Sequence, residues 1–133
     1  MNTFHLKIVT PYGLFFDGQA ESLTLRTVSG ETGILAGHAD FVTALGMGMA
    51  KVGMDGNVRK AACIGGMLSV SRGEVTVVAT TFEWAEDIDI ARAERSAQRA
   101  RTVLDNKASH TGEEIALAEA RLKRALVRTG AAK

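Results

Sequence analysis

Residues 83–99 read EWAEDIDIARAERSAQR, and the chain changes character inside them. Upstream, apolar residues alternate with polar ones or form short β-branched runs cut by glycines. Downstream they recur every three or four positions, and no glycine occurs between Gly73 and Gly112. Alternation is the period of a half-buried strand and the three-four spacing is that of a helix, so a sheet module hands over to a helical one here. The expected division is residues 1–84 and residues 85–133, with a joint rich in carboxylates and arginines.

Working back from the joint, EVTVVAT (74–80) and MLSVS (67–71) read as strands separated by Arg72-Gly73. Gly65-Gly66 is expected to break the next strand pair. Asp55-Gly56 sits between AKVGM and VRKAACI as a hairpin signal, and Asp17-Gly18 is a second tight-turn pair. AESLTLRTV (20–28) alternates, with Leu23 and Leu25 as inward residues and Val28 as a further candidate. FHLKIV (4–9) alternates until Pro11-Tyr12-Gly13 interrupts it. Many short strands at this spacing suggest an antiparallel β-sandwich or barrel.

Working forward, Ile90, Ala93, Ala97, Ala100 and Leu104 form one helical stripe, with Asp87 or Asp89 as N-cap. DNKASHTG gives a polar loop, and Thr111 or Gly112 opens a second helix carrying Ile115, Ala118, Leu122 and Ala125. The two stripes predict an antiparallel helical hairpin. Alanine contributes far less burial energy than leucine at roughly 25 cal/mol per Å² of apolar surface, so such a hairpin should dock weakly on anything else.

Composition narrows the function. The chain has 133 residues with a net charge of +1, but residues 1–87 hold six Lys/Arg and nine Asp/Glu while residues 88–133 hold ten and six. The single cysteine, Cys63, permits no intrachain disulfide and fits a reducing compartment; it sits in the apolar run AACIGG as a small core residue. No stretch approaches the ~20 apolar residues of a membrane helix, and MNTFHLKIVT lacks a signal-peptide layout. A soluble, cytosolic chain without direct membrane insertion is expected. The phosphate-binding GxxxxGK[ST] pattern is absent, Lys51 stands where a dinucleotide fingerprint after Gly46 and Gly48 needs its third glycine, and no Cys/His spacing suits zinc. His38 with Asp40 could form an acid–base pair, but no nucleophile or second titratable cluster accompanies them, and His38 reads instead as a loop histidine that hydrogen-bonds locally. The basic helices lack aromatic residues and interleave Glu94, Asp105 and Glu119 with their arginines, which argues against a nucleic-acid module.

The arginines remain. Arg92 and Arg99 are seven residues apart, and Arg124 and Arg128 four apart, so each pair shares a helix face. A folded hairpin can bring the four guanidinium groups together, and polyphosphate is the anion whose oxygens match such forked donors. Glu83 and Asp89 can accept hydrogen bonds from ribose hydroxyls or an adenine amino group.

Four segments in register, LKIVTPYG (6–13), GETGILAGHADFVTAL (30–45), GGMLSVSRGEVTVVAT (65–80) and EDIDIARA (86–93), carry a resemblance to the epsilon subunit of bacterial F-type ATP synthase. The resemblance implies a non-catalytic subunit of the rotor's central stalk, built as an N-terminal β-sandwich and a C-terminal two-helix hairpin. It implies that the sandwich binds the gamma subunit and the membrane ring, with Glu31 and His38 in the ring-contact loop, on the cytoplasmic side of the cell membrane. It further implies that the hairpin extends toward the alpha/beta catalytic head to inhibit ATP hydrolysis. ATP, as a regulatory ligand with no cofactor required, would favour the folded hairpin. The residues matching the nucleotide-binding branch are Glu83, Ile88, Asp89, Arg92, Ala93 and Arg99, with Arg124 and Arg128 on the second helix.

Overall fold

The structure, a computed structural model, describes residues 2–132; Met1 and Lys133, at the outer ends of the two expected modules, lie outside the described residues. Seven strands come first: β1 (Phe4–Thr10), β2 (Gly13–Ala20), β3 (Ser22–Thr27), β4 (Gly30–Leu35), β5 (Phe41–Met54), β6 (Asn57–Ser71) and β7 (Glu74–Trp84). A 3₁₀ turn at Ala85–Asp87 leads to α1 (Ile90–Asp105), and a second at Lys107–Ser109 to α2 (Gly112–Ala132).

The strands form one hydrogen-bonded sheet in the order β2-β1-β7-β6-β5-β3-β4. Leu6 and Ile8 of β1 share a buried cluster with Leu23 and Leu25 of β3, although those strands stand near opposite edges. The sheet therefore folds over on itself, and the expected sandwich is made from a single sheet. One pairing departs from the antiparallel expectation: β1 runs parallel to β7, His5 opposite Glu74 and Val9 opposite Val78. A parallel neighbour needs a long crossover, and here strands β2 to β6 supply it.

Two local readings are corrected by pairing. Gly65-Gly66 does not end a strand; both residues lie inside β6, and its register with β5 and β7 runs through them unchanged. Gly66 has φ 119°, and a β-carbon there would sit 1.9 Å from the Val78 carbonyl oxygen, so only glycine fits this close approach. Asp17-Gly18 is likewise not a turn but mid-strand in β2, opposite Lys7 and Leu6. The tight turns fall at Asp55-Gly56 and Arg72-Gly73, where φ is 51°, 78°, 52° and 80° in order, the backbone a two-residue hairpin demands. Leu23 and Leu25 are buried as expected, but Val28 is exposed, and Thr27 takes the inward place and bonds the Gly30 carbonyl.

The helices start where carboxylate and hydroxyl caps put them. Asp89 accepts from the Arg92 amide at 3.0 Å, and Thr111 with Glu114 forms a reciprocal capping box. Ala93, Ala97 and Ala100 of α1 are buried with Ala118 and Ala125 of α2, the alanine seam expected from the spacing. Ile90, however, is 41% exposed; as the first residue after the cap it points outward, and Ile88 before the cap is buried instead. Ile88, Ala62 and Ala131 form a second small core that fastens the hairpin to the outer face of the sheet.

On the solvent side of the sheet His5 bridges Asp17 of β2 and Glu74 of β7, tying three strands. Hydrogen bonds donated to Asp17 and then to Glu74 raise the His5 pKa above 6.5, and the same histidine lowers that of Asp17 below 3.8. A raised histidine stabilises fully below 6.5 and loses its contribution as pH climbs through the folded value; a lowered aspartate contributes above 3.8 and loses it on acidification. Melting temperature should thus decline as pH rises from 6.5 upward. His5→Ala should flatten this limb of a calorimetric pH series; an unchanged slope would remove the triad from the account.

Candidate functional site

The hairpin does not lie flat on the sandwich. Beside the small core at Ala62 it leaves a cleft of about 580 Å³ whose walls come from both modules. The sheet wall is Ile64 of β6 with Thr81, Phe82 and Glu83 of β7, joined by Tyr12 from the β1–β2 turn. The helical wall is Arg92 and Ser96 of α1 and Arg121, Arg124, Ala125 and Arg128 of α2.

Periodicity explains the assembly. Phe82 and Trp84 face the sandwich core, so Glu83 between them turns outward, opposite Ala62. Arg121, Arg124 and Arg128 follow a three-four spacing on one face of α2, and Arg92 and Ser96 stand one turn apart on α1. Arg128 crosses to Glu83 with two parallel bonds, Nε to Oε1 at 2.9 Å and a terminal nitrogen to Oε2 at 3.0 Å. This forked pair is three-quarters buried and is the polar latch between the modules. A second latch holds the joint: Arg59 binds Glu86 and lies 3.9 Å above the Trp84 ring. Hydrogen bonding to its own backbone amide and then to Arg59 holds the Glu86 carboxyl below the usual carboxylate range.

Of the residues singled out from sequence, the cleft gathers Glu83, Arg92, Arg124 and Arg128. Arg99 lines an adjoining groove of about 500 Å³ between the helices, which shares Ser96 and Arg121 with the cleft. Asp89 spends a carboxylate oxygen on its cap bond, Ile88 belongs to the small core, and Ala93 is fully buried, and none of the three lines the cleft. Arg121 and Tyr12 were not singled out. The spacing of Arg121 from Arg124 and Arg128 carried a signal; nothing local in the sequence placed Tyr12 beside the helices.

The expected ring-contact loop is only partly a loop. Glu31 stands on the edge strand β4, paired opposite Arg26, and residues 36–40 alone form the turn. His38 bonds the Ala39 carbonyl through Nδ1 at 2.8 Å and packs on Phe41, the local role expected of it. Cys63 is buried, and desolvation pushes its thiol up to about 12, which makes it inert as a nucleophile. Among the described residues no three His, Cys, Asp or Glu side chains converge as a metal site, and no described helix is long and apolar enough to cross a membrane.

Fold and cleft define a two-module protein, a folded-over sheet with a helical hairpin latched across it around an arginine-lined seam. Residues 3–85 match the family model described as the ATP synthase delta/epsilon chain beta-sandwich domain, and residues 86–133 that of the delta/epsilon chain long alpha-helix domain. The chain is 44% identical to the ATP synthase epsilon chain of Ruminococcus albus, covering 99% of this chain and 98% of that one. It is 40% identical to the epsilon chain of Caldanaerobacter subterraneus subsp. tengcongensis, over 95% and 91% of the two chains. In fold it is similar to a chain of the Euglena gracilis mitochondrial ATP synthase, with a TM-score of 0.84 and 22% identity over 98% of this chain and 82% of that one. A chain of the Tetrahymena thermophila enzyme gives 0.60 and 17% over 97% and 96%. This chain belongs to the ATP synthase delta/epsilon family, as an epsilon chain of the bacterial type and a non-catalytic subunit of that complex.

The Glu83–Arg128 latch can be tested directly. Arg128→Ala leaves a partly buried carboxylate without its partner, and docking of the hairpin should weaken by about 1–2 kcal/mol, a charge-assisted pair discounted for its partial exposure. Faster hydrogen exchange in residues 115–132, with the strands unaffected, is the expected reading. Equal exchange in variant and parent would show that the alanine core alone holds the hairpin.

Proposed function

We propose that the chain is a central-stalk subunit of a rotary proton- or sodium-translocating ATP synthase, peripheral to the cytoplasmic side of the cell membrane, whose hairpin is a nucleotide-sensitive brake on ATP hydrolysis. In this reading the sandwich binds the gamma subunit and the membrane rotor ring. The hairpin, when undocked, extends toward the alpha/beta catalytic head. ATP acts as a regulatory ligand of the docked state.

The observation that carries the reading is the seam cleft. Arg92, Arg121, Arg124 and Arg128 converge there from two helices against Glu83 of the sheet, so the site is complete only when the hairpin is docked. A ligand favours the state it binds better, and at ~100 times its dissociation constant it adds about 2.7 kcal/mol to that state. Support for a stalk partner comes from the sheet's other exposed surface. Ala44, Met67, Val78, Val9 and Leu14 stand opposite one another across five strands, and Met67, Val78 and Leu14 are 45%, 49% and 61% exposed. An apolar row of this extent suits burial against another subunit.

Calorimetric titration with ATP, with GTP as control, tests the nucleotide half. Among the described residues Arg92 lines the cleft without a side-chain ion pair of the kind that holds Arg128, so Arg92→Ala should weaken ATP roughly ten- to a hundredfold while the fold persists. Unaltered affinity would make Arg92 an ordinary solvated helix residue. For the stalk half, a cysteine placed at Glu31 in the assembled enzyme should cross-link to the rotor ring, and products with gamma alone would defeat that assignment.

A further inference from the structure

The cleft is chemically two-sided. Cations line its helical wall, whereas the sheet side carries Ile64, 7% exposed, and Tyr12. Tyr12 is 100% exposed, on the turn between β1 and β2, and β1's pairing with β7 brings that turn alongside Thr81. Its backbone amide is held by the Thr10 hydroxyl at 3.3 Å, which fixes the turn, and its ring faces are both uncovered. Phe82, the other aromatic of the cleft, is 5% exposed and engaged edge-on with Phe15 and Trp84, so it has no free face.

An inorganic polyphosphate would use only the arginine wall. An anion carrying a planar, weakly polar group would use both sides at once. We infer that Tyr12 is the base-reading residue of this site: it stacks on the purine of a bound nucleotide while the arginines hold its phosphates. The inference rests on the nucleotide reading of the cleft and adds the residue that separates a nucleotide from bare polyphosphate. It also adds a second tie between modules, because a stacked ligand links the β1–β2 turn to both helices.

Titrations of the full chain with ATP and with inorganic tripolyphosphate distinguish the two levels. Base–aromatic stacking is worth about 1–3 kcal/mol, so Tyr12→Ala should weaken ATP about ten- to a hundredfold and leave tripolyphosphate unchanged. Tyr12→Trp, which keeps a stacking face, should restore ATP binding. Because Tyr12 is the chain's single tyrosine, its ring gives one set of aromatic NMR signals. These should move upfield with ATP and stay in place with tripolyphosphate. Binding of ATP by the parent with equal affinity in Tyr12→Ala, or an equal loss of ATP and tripolyphosphate, overturns the role of Tyr12 but leaves the nucleotide site. Failure of the parent to bind either ligand overturns the site and the stacking together.

Discussion

Everything in this molecule hangs on a backbone contact in which Gly66 comes so near the Val78 carbonyl that no side chain can stand between them. A positive φ at Gly65 and Gly66 bends β6 without shifting its register against either neighbour. Bent there, strands of 14 and 15 residues serve both layers of the sandwich, where ordinary strands of roughly five or six residues would serve one. The fold-over also turns Ala62 and Glu83 outward side by side, and these two residues receive the hairpin. Seam, latch and cleft are downstream of that bend.

The hairpin's attachment is modest by design of its residues. The hairpin meets the sheet through Ile88, Val127 and small residues around Ala62 and Ala131, with the Glu83–Arg128 fork beside them. Burying an isoleucine is worth about 1.5–3 kcal/mol and an alanine methyl less, so docking amounts to a few kcal/mol. A ligand present at ~100 times its dissociation constant adds about 2.7 kcal/mol to the state it binds, a comparable amount. A leucine-rich contact would have locked it.

Periodicity made the architecture legible: alternation gave Leu23 and Leu25 their inward places, and the three-four stripes of alanine gave the hairpin. Capping chemistry located both helix starts, although Ile88 and Ile90 exchange roles because Asp89 begins the helix between them. The mistaken turns at Asp17-Gly18 and Gly65-Gly66 have one cause, since turn-forming dipeptides were overruled by pairing partners distant in sequence. The same holds at the site. Arginine spacing along each helix is local and could be read, but the placing of Tyr12 at the same cleft depends on β1 lying beside β7, a relation no local pattern carries.

That parallel pairing has a consequence for how the chain is made. During synthesis β1 leaves the ribosome first, yet its inner neighbour, β7, follows some seventy residues later, with Val9 waiting for Val78. β2 can form a hairpin with β1 at once, and β5 with β6, but the sheet stays open in two pieces until β7 is inserted between β1 and β6. Closing so long a loop is entropically slow, whereas the helical hairpin that follows needs only local contacts. A nascent chain halted before residue 75 would carry unpaired strand edges and an exposed core, the features that draw chaperones and invite aggregation. The last strand is thus the keystone of the first module, and the helical hairpin has nothing to dock on until that strand is in place.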